Sequence, residues 1–116
     1  MKLRYTEIIH VAEWYSAWTK SIHRPLLLLK HSTACPISAA ALGEFIIFTR
    51  KPKRTIDMYL VKVIESRLVS NQITESTGII HQSPQIMIMH NQQVVWQVTH
   101  WDITYERIEH EVNSRI

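Results

Sequence analysis

The sequence has little glycine and almost no cysteine. Only two of its 116 residues are glycine, Gly43 and Gly78, and no Gly/Ser-rich linker, internal repeat or low-complexity tract interrupts the chain. We therefore expect one domain, residues 1–116. The single cysteine, Cys35, excludes an intrachain disulfide, and a lone thiol is typical of a reducing compartment.

Long apolar segments are also missing. The longest uncharged apolar run near the start is residues 26–29, far short of the roughly 20 residues that cross a membrane, and too short for a signal peptide. We expect a cytoplasmic protein without a membrane partner. The 13 Lys+Arg residues exceed the ten Asp+Glu residues by only three, so net charge alone indicates no particular ligand.

The apolar pattern, in contrast, is well developed: 46% of the residues are hydrophobic and 20% are charged, as in ordinary globular domains. Its periodicity predicts the order helix, strand, helix, strand, helix, strand, strand, helix. The predicted helices cover residue 6 to about 21, residues from Cys35-Pro36 onward, residues 66–77 ending at Gly78, and residues after Asp102; the predicted strands cover 26–29, 57–64, Gln85–His90 and Gln93–Thr99. This alternation indicates an α/β fold with a mixed sheet between helices.

Several side chains are assigned to the interior or to helix caps by this pattern. Buried positions are expected at Ile8, Val11 or Ala12, Tyr15, Trp18 and Ile22 in the first helix, at Ile37, Ala40, Ala41, Phe45 and Phe48 in the second, at Leu68, Val69 and Ile73 in the third, and at Tyr105, Ile108, Val112 and Ile116 in the last. Asp102 is expected to cap the last helix.

Cys35 is the best candidate for a reactive residue, because it lies where a predicted strand ends and a predicted helix begins. The reactive form of cysteine is the thiolate, and the unpaired N–H groups at a helix N-terminus stabilise a negative charge. Pro36 suits the first helical position but has no N–H, so the donors are the N–H groups of Ile37 and Ser38. The Ser38 hydroxyl is also expected within reach of the sulfur. The alternative is that Cys35 is a small buried hydrophobic residue.

Pro84 and the histidines leave alternatives open. Pro84 precedes an apolar strand, and its peptide bond with Ser83 is either cis, which exposes backbone for pairing with a ligand, or trans, as for most X-Pro bonds. His31 either tunes Cys35 or faces solvent from the strand end. No histidine pair has a metal-ligand spacing, so we predict no metal site.

Two further surface features are interpreted as structural. The basic residues Arg50, Lys51, Lys53 and Arg54 have no interleaved aromatic residues, so a solvated loop is favoured over a nucleic-acid site. Trp101-Asp102 is expected to close the last strand and cap the helix that follows it.

Four separated segments resemble one known family. They are residues 30–38 (KHSTACPIS), 69–71 (VSN), 81–85 (HQSPQ) and 100–104 (HWDIT). Over residues 7 to 112 the chain is similar to the YtxJ family, the monothiol bacilliredoxins of bacteria that use bacillithiol in place of glutathione. The resemblance implies a thioredoxin-like fold, with a central mixed four-stranded sheet flanked by helices and an additional N-terminal helix. It places the active-site cysteine at Cys35 and the cis proline of the fold at Pro84.

The resemblance also implies the activity, which is removal of bacillithiol from protein mixed disulfides. Cys35 would attack the bacillithiol sulfur, Ile37 and Ser38 would stabilise the thiolate, and Ser83 with Pro84 would hold the substrate. Because Ser38 occupies the position of a second cysteine, a second bacillithiol or a separate reductase must regenerate Cys35. The expected partners are bacillithiolated client proteins, with bacillithiol as co-substrate and no tightly bound cofactor.

Some positions depart from thioredoxin, and they leave rival functions. Thioredoxins have a buried carboxylate six residues before the nucleophile and a tryptophan immediately before it, whereas this chain has Leu29 and Ala34. General dithiol reduction is therefore disfavoured. The alternatives are a glutathione-type monothiol glutaredoxin, although its usual Cys-Gly-Phe-Ser motif is missing, an iron–sulfur or thiol-binding adaptor, and an interaction module with an idle thiol.

Overall fold

Residues 4–116 are described by the computed structural model, and they form five strands, four α-helices and one 3₁₀ turn. The strands are β1 (Thr6–Glu7), β2 (Leu26–His31), β3 (Asp57–Lys62), β4 (Gln85–His90) and β5 (Gln93–Thr99). The helices are α1 (Val11–Lys20), α2 (Pro36–Arg50), α3 (Arg67–Thr77) and α4 (Tyr105–Arg115), and the 3₁₀ turn is His100–Asp102. Within these residues no helix has both the length and the apolar character needed to cross a membrane.

The sheet is mixed, with the order β1-β3-β2-β4-β5. β3 is parallel to both β1 and β2, whereas β4 is antiparallel to β2 and β5. β2 lies at the centre, and all six of its residues are buried, as expected for a strand covered on both faces. α2 and α4 contribute to the core on one face of the sheet, and α1 and α3 to the core on the other. The predicted α/β fold is therefore confirmed.

The predicted number of strands is wrong by one, because residues 6 and 7 are not helical. Thr6 and Glu7 pair in parallel with Tyr59 and Leu60 of β3, which makes the sheet five-stranded. The helix begins only at Val11. Its start is fixed by the Glu13 carboxylate, which accepts hydrogen bonds from the backbone N–H groups of residues 9 and 10. Capping by a residue inside the helix thus decides where the helix starts.

Several predicted buried positions are exposed instead. Tyr15 and Ile22 are 47% and 42% exposed, Leu68 is 77% exposed, and Ala40 also faces solvent. Trp14 and Ala17 form the buried face of α1, so this face lies one position earlier along the chain than the apolar periodicity predicts.

The cap of the last helix also differs from the prediction. Asp102 lies in the 3₁₀ turn, and Thr104 is the N-cap, with its hydroxyl accepting a hydrogen bond from the N–H of Arg107. Both residue types are good N-caps, so their local preference does not distinguish them.

The two glycines provide a matched pair of stability predictions. Gly78 ends α3 in the left-handed region with φ +73°, whereas Gly43 lies inside α2, where an added Cβ would meet nothing within 4 Å. We expect Gly78→Ala to lower the free energy of unfolding by about 1 kcal/mol, because alanine disfavours positive φ. Gly43→Ala should raise that free energy by roughly 0.5–1 kcal/mol, because it restores helix propensity. Urea denaturation of both variants measures the effect, and a loss at Gly43 would contradict the helical assignment.

Candidate active site

Cys35 is the N-cap of α2, with extended backbone angles (φ −120°, ψ 122°) and a half-buried side chain. It follows a short loop after β2, and its N–H donates to the carbonyl of Ser32 at 3.4 Å. The first helical hydrogen bond runs from the N–H of Ala39 to the Cys35 carbonyl at 3.0 Å. The N–H groups of Ile37 and Ser38 therefore have no partner inside the helix. The thiol forms no capping bond to them, so their stabilisation of the thiolate stays a prediction.

The Ser38 hydroxyl belongs to a buried polar unit at the end of β2. Ser38 Oγ lies 2.7 Å from His31 Nδ1 and accepts a hydrogen bond from the Ser32 N–H at 2.9 Å. Ser38 is 0% and His31 only 6% exposed. The structure therefore directs this hydroxyl to the strand end rather than to the sulfur.

The interpretation of His31 as a solvent-facing residue is wrong. Burial lowers the pKa of His31, while its hydrogen bond with Ser38 and the nearby Glu65 carboxylate act in the opposite direction. The ring is thus favoured in its neutral form, which fits its place in the core. His31 bonds to the first turn of α2, so it helps to fix the helix that begins at Cys35.

Ser83 and Pro84 directly precede β4, whose first residues lie beside the C-terminal end of β2. The peptide bond between them is cis, as the family resemblance implied. Lys30 pairs with Gln85 across β2 and β4, so the Ser83–Pro84 loop comes next to the loop that carries Cys35. Ser83 Oγ is buried and has no hydrogen-bond partner within residues 4–116. A buried hydroxyl without a partner is uncommon in native structures.

The 3₁₀ turn after β5 places two further residues, His100 and Trp101, near the candidate site. The His100 N–H donates to the Pro84 carbonyl at 3.1 Å, and His100 has φ 55°, which is uncommon outside glycine. Trp101 is 69% exposed. Both residues line a groove of about 190 Å³ with Ile37, two residues beyond Cys35. The sequence feature that could have indicated these two residues is the His-Trp-Asp segment directly after an apolar strand.

Across residues 4–116, no group of three or more His, Cys, Asp or Glu side chains is arranged to hold a metal ion. The prediction that the site works without a metal remains to be tested by experiment.

Solved structures with the same fold are thioredoxins and related oxidoreductases. A protein described as an oxidoreductase with a thioredoxin fold is 28% identical, with a TM-score of 0.79 and coverage of 91% of each chain. A thioredoxin pre-protein of Schistosoma mansoni is 13% identical, with a TM-score of 0.76 and coverage of 97% of this chain and 98% of its own. Mitochondrial thioredoxin 3 of Saccharomyces cerevisiae is 11% identical, with a TM-score of 0.69 and coverage of 95% and 94%. At such low identity the two thioredoxins show the fold alone.

The family comparison covers most of the chain. Residues 6–108 match the model of the family described as monothiol bacilliredoxin BrxC. This range includes Cys35, Ser38, Ser83 and Pro84, and it agrees with the resemblance found in the sequence. The chain therefore belongs to the monothiol bacilliredoxin family and is a thiol oxidoreductase with a thioredoxin fold.

Proposed function

We propose that this protein removes bacillithiol from protein mixed disulfides, with Cys35 as the nucleophile. The observation that carries the proposal is the position of the single cysteine at the N-terminus of the 15-residue helix α2, half-buried, with unpaired backbone N–H groups following it. Membership of the bacilliredoxin family supports bacillithiol as the thiol that is transferred.

The proposed reaction is a thiol–disulfide exchange without net oxidation. The Cys35 thiolate attacks the bacillithiol sulfur of the client's mixed disulfide. A new bond forms between Cys35 and bacillithiol, the old disulfide bond breaks, and the client sulfur leaves as a thiolate that takes a proton from water. The N–H groups of Ile37 and Ser38 would stabilise the negative sulfur before attack. Ser83 and Pro84 would hold the substrate beside it.

Regeneration requires a second thiol from outside the chain. Ser38 stands where a dithiol protein has its resolving cysteine, and its hydroxyl is buried and bonded to His31. A second bacillithiol would attack the Cys35 mixed disulfide, release the enzyme thiolate and form bacillithiol disulfide. A separate reductase would provide the alternative route. The exchange itself needs no metal, flavin or nucleotide.

Intact-mass spectrometry tests the proposal directly. The reduced protein is mixed briefly with a bacillithiol-blocked client, and in parallel with the same client blocked by glutathione. We expect one bacillithiol to appear on Cys35 while the client thiol is freed, and little transfer of glutathione. Equal transfer from both clients would favour a glutaredoxin-like protein. No transfer from either at neutral pH would overturn the proposal, and a visible absorbance band after anaerobic purification would indicate a cluster-binding adaptor.

Ser83→Ala provides a prediction for the substrate-binding loop. Because the hydroxyl has no partner within the described residues, its removal should leave the free energy of unfolding unchanged or raise it by up to about 1 kcal/mol. If the hydroxyl binds substrate, kcat/KM for the bacillithiolated client should fall severalfold. Ser114→Ala, on the exposed side of α4, is the control and should leave the rate unchanged. An unchanged rate in Ser83→Ala would remove Ser83 from the binding site.

A further inference from the structure

Lys30 is a fully buried lysine beneath the candidate site. It lies in the central strand β2, one residue before its end, and its relative exposure is 0%. Lysines are almost never fully buried unless they are paired. The partners of Nζ are the Ser70 carbonyl, Thr74 Oγ1 and His81 Nδ1, each at 3.2 Å. All of them are neutral, and together they match the three N–H donors of an ammonium group.

The contact with His81 fixes the protonation of that ring. An ammonium group can only donate, so Nδ1 must accept and has no hydrogen. The proton of the neutral ring is therefore on Nε2. Burial and the positive charges of Lys30 from β2 and Arg67 from α3 lower the pKa of His81, which favours the neutral ring. The Ser70 hydroxyl, 3.4 Å from Nδ1, is a weaker second partner.

His81 precedes the candidate substrate-binding residues Ser83 and Pro84 in the chain. It is an exposed residue in the loop between α3 and β4, two positions before Ser83. Lys30 pairs with Gln85 at the first position of β4, so the buried charge lies beside the strand that follows the Ser83–Pro84 loop. The positive charges of Lys30 and Arg67 also favour the binding of an anionic group near His81. Bacillithiol has such groups in its malate carboxylates.

We propose that His81 donates its Nε2–H to a carboxylate oxygen of the bacillithiol moiety, and that Lys30 is a positioning residue that holds His81 in the tautomer required. This inference rests on the proposed function and adds a determinant of thiol specificity to it. His81 contacts only the polar part of the thiol, and the exchange of sulfur partners at Cys35 is unchanged.

The tautomer is tested by long-range ¹H–¹⁵N NMR of the His81 ring, assigned by its loss in His81→Gln. We expect an unprotonated Nδ1 and a protonated Nε2 at pH 7. In Lys30→Met the His81 pKa should rise, because one of the two positive charges and the Nδ1 donor are gone. An unchanged tautomer and an unchanged pKa in Lys30→Met would mean that Lys30 does not position His81. A protonated Nδ1 in the neutral ring of the unmodified protein would overturn the proposal.

Kinetics with two clients test the specificity. One client is blocked with bacillithiol, and the other with 2-mercaptoethanol, which has no carboxylate. His81→Ala should raise KM for the first client roughly ten- to 100-fold, the effect of one lost hydrogen bond to a charged group, and leave kcat and the second client unchanged. His81→Gln should restore most of the affinity because its amide can donate from a similar position. Lys30→Met should raise KM in the same selective way.

The controls separate this inference from the proposed function. His90→Ala, at the exposed far end of β4, should behave like the unmodified protein with both clients. If the unmodified protein accepts no bacillithiol from its client, the proposed function fails and this inference fails with it. If transfer is normal but His81→Ala slows both clients equally or neither, only the assignment of His81 is wrong.

Discussion

Replacing Cys35 with serine is expected to lower the rate of bacillithiol transfer by roughly 1,000-fold or more, because a serine hydroxyl is not ionised at neutral pH and cannot replace a thiolate nucleophile. The chain has no second cysteine to take over. Transfer is followed by intact mass and by release of the client thiol. Retained transfer in Cys35→Ser would show that the sulfur is not the nucleophile.

The same substitution should not impair folding, which makes the loss of activity interpretable. Cys35 occupies the N-cap of α2, and its side chain makes no capping hydrogen bond. Serine is among the preferred N-caps, so the free energy of unfolding should stay the same or rise by up to about 1 kcal/mol. Ala39→Ser adds a hydroxyl at an exposed position in the first turn of the same helix. That control should retain the activity of the unmodified protein.

The elements that sequence predicted best are those whose signal is local. The apolar run of β2 and the two strands of the β4–β5 hairpin have their own hydrophobic patterns, and the left-handed Gly78 ends α3 as expected. The strand Thr6–Glu7 could not be found in this way, because two residues have no periodicity. Its existence depends on the edge of β3, about 50 residues away in sequence, which offers it backbone partners.

In the candidate site, too, the features set by neighbouring residues were predictable and those set by distant residues were not. The position of Cys35 before Pro36 follows from local preferences for helix starts. The burial of His31 could not be read from the sequence, since its partner Ser38 lies seven residues later in another element. Lys30 is the strongest case, because its acceptors on α3 and in the following loop lie 40 to 51 residues away. A lysine in a strand is ordinarily expected to be exposed.

The buried Lys30 is also expected to have a large effect on the free energy of unfolding. Burial lowers the pKa of Lys30 from the usual value near 10.5 to about 8. Below pH 8 this lysine is charged in both the folded and the unfolded protein, so the folded state has the full cost of a buried ammonium group. Between pH 8 and 10.5 the unfolded protein binds more protons, so the contribution of Lys30 to stability rises with pH. Over this window the rise amounts to up to about 3 kcal/mol.

We therefore expect Lys30→Met to raise the free energy of unfolding by about 2 kcal/mol at pH 7, since methionine fills a similar volume without a charge. The polar groups that it leaves retain other partners: Thr74 Oγ1 still donates to the Ser70 carbonyl, and His81 Nδ1 is near the Ser70 hydroxyl. The gain should shrink as the pH rises from 8 toward 10.5, because the buried lysine of the unmodified protein is then neutral in the folded state. Urea denaturation of both proteins from pH 7 to 10.5 measures this difference.

The difference between the two curves isolates Lys30, because the other groups titrate in both proteins. Lys51→Met, which removes an exposed lysine at the end of α2, should give a difference close to zero at every pH. A Lys30→Met protein that is less stable than the unmodified one at pH 7 would mean that the three hydrogen bonds outweigh the cost of burial. If the variant is instead more stable but binds bacillithiolated clients less well, the buried charge lowers stability and serves substrate binding, as stability–activity trade-offs at functional sites predict.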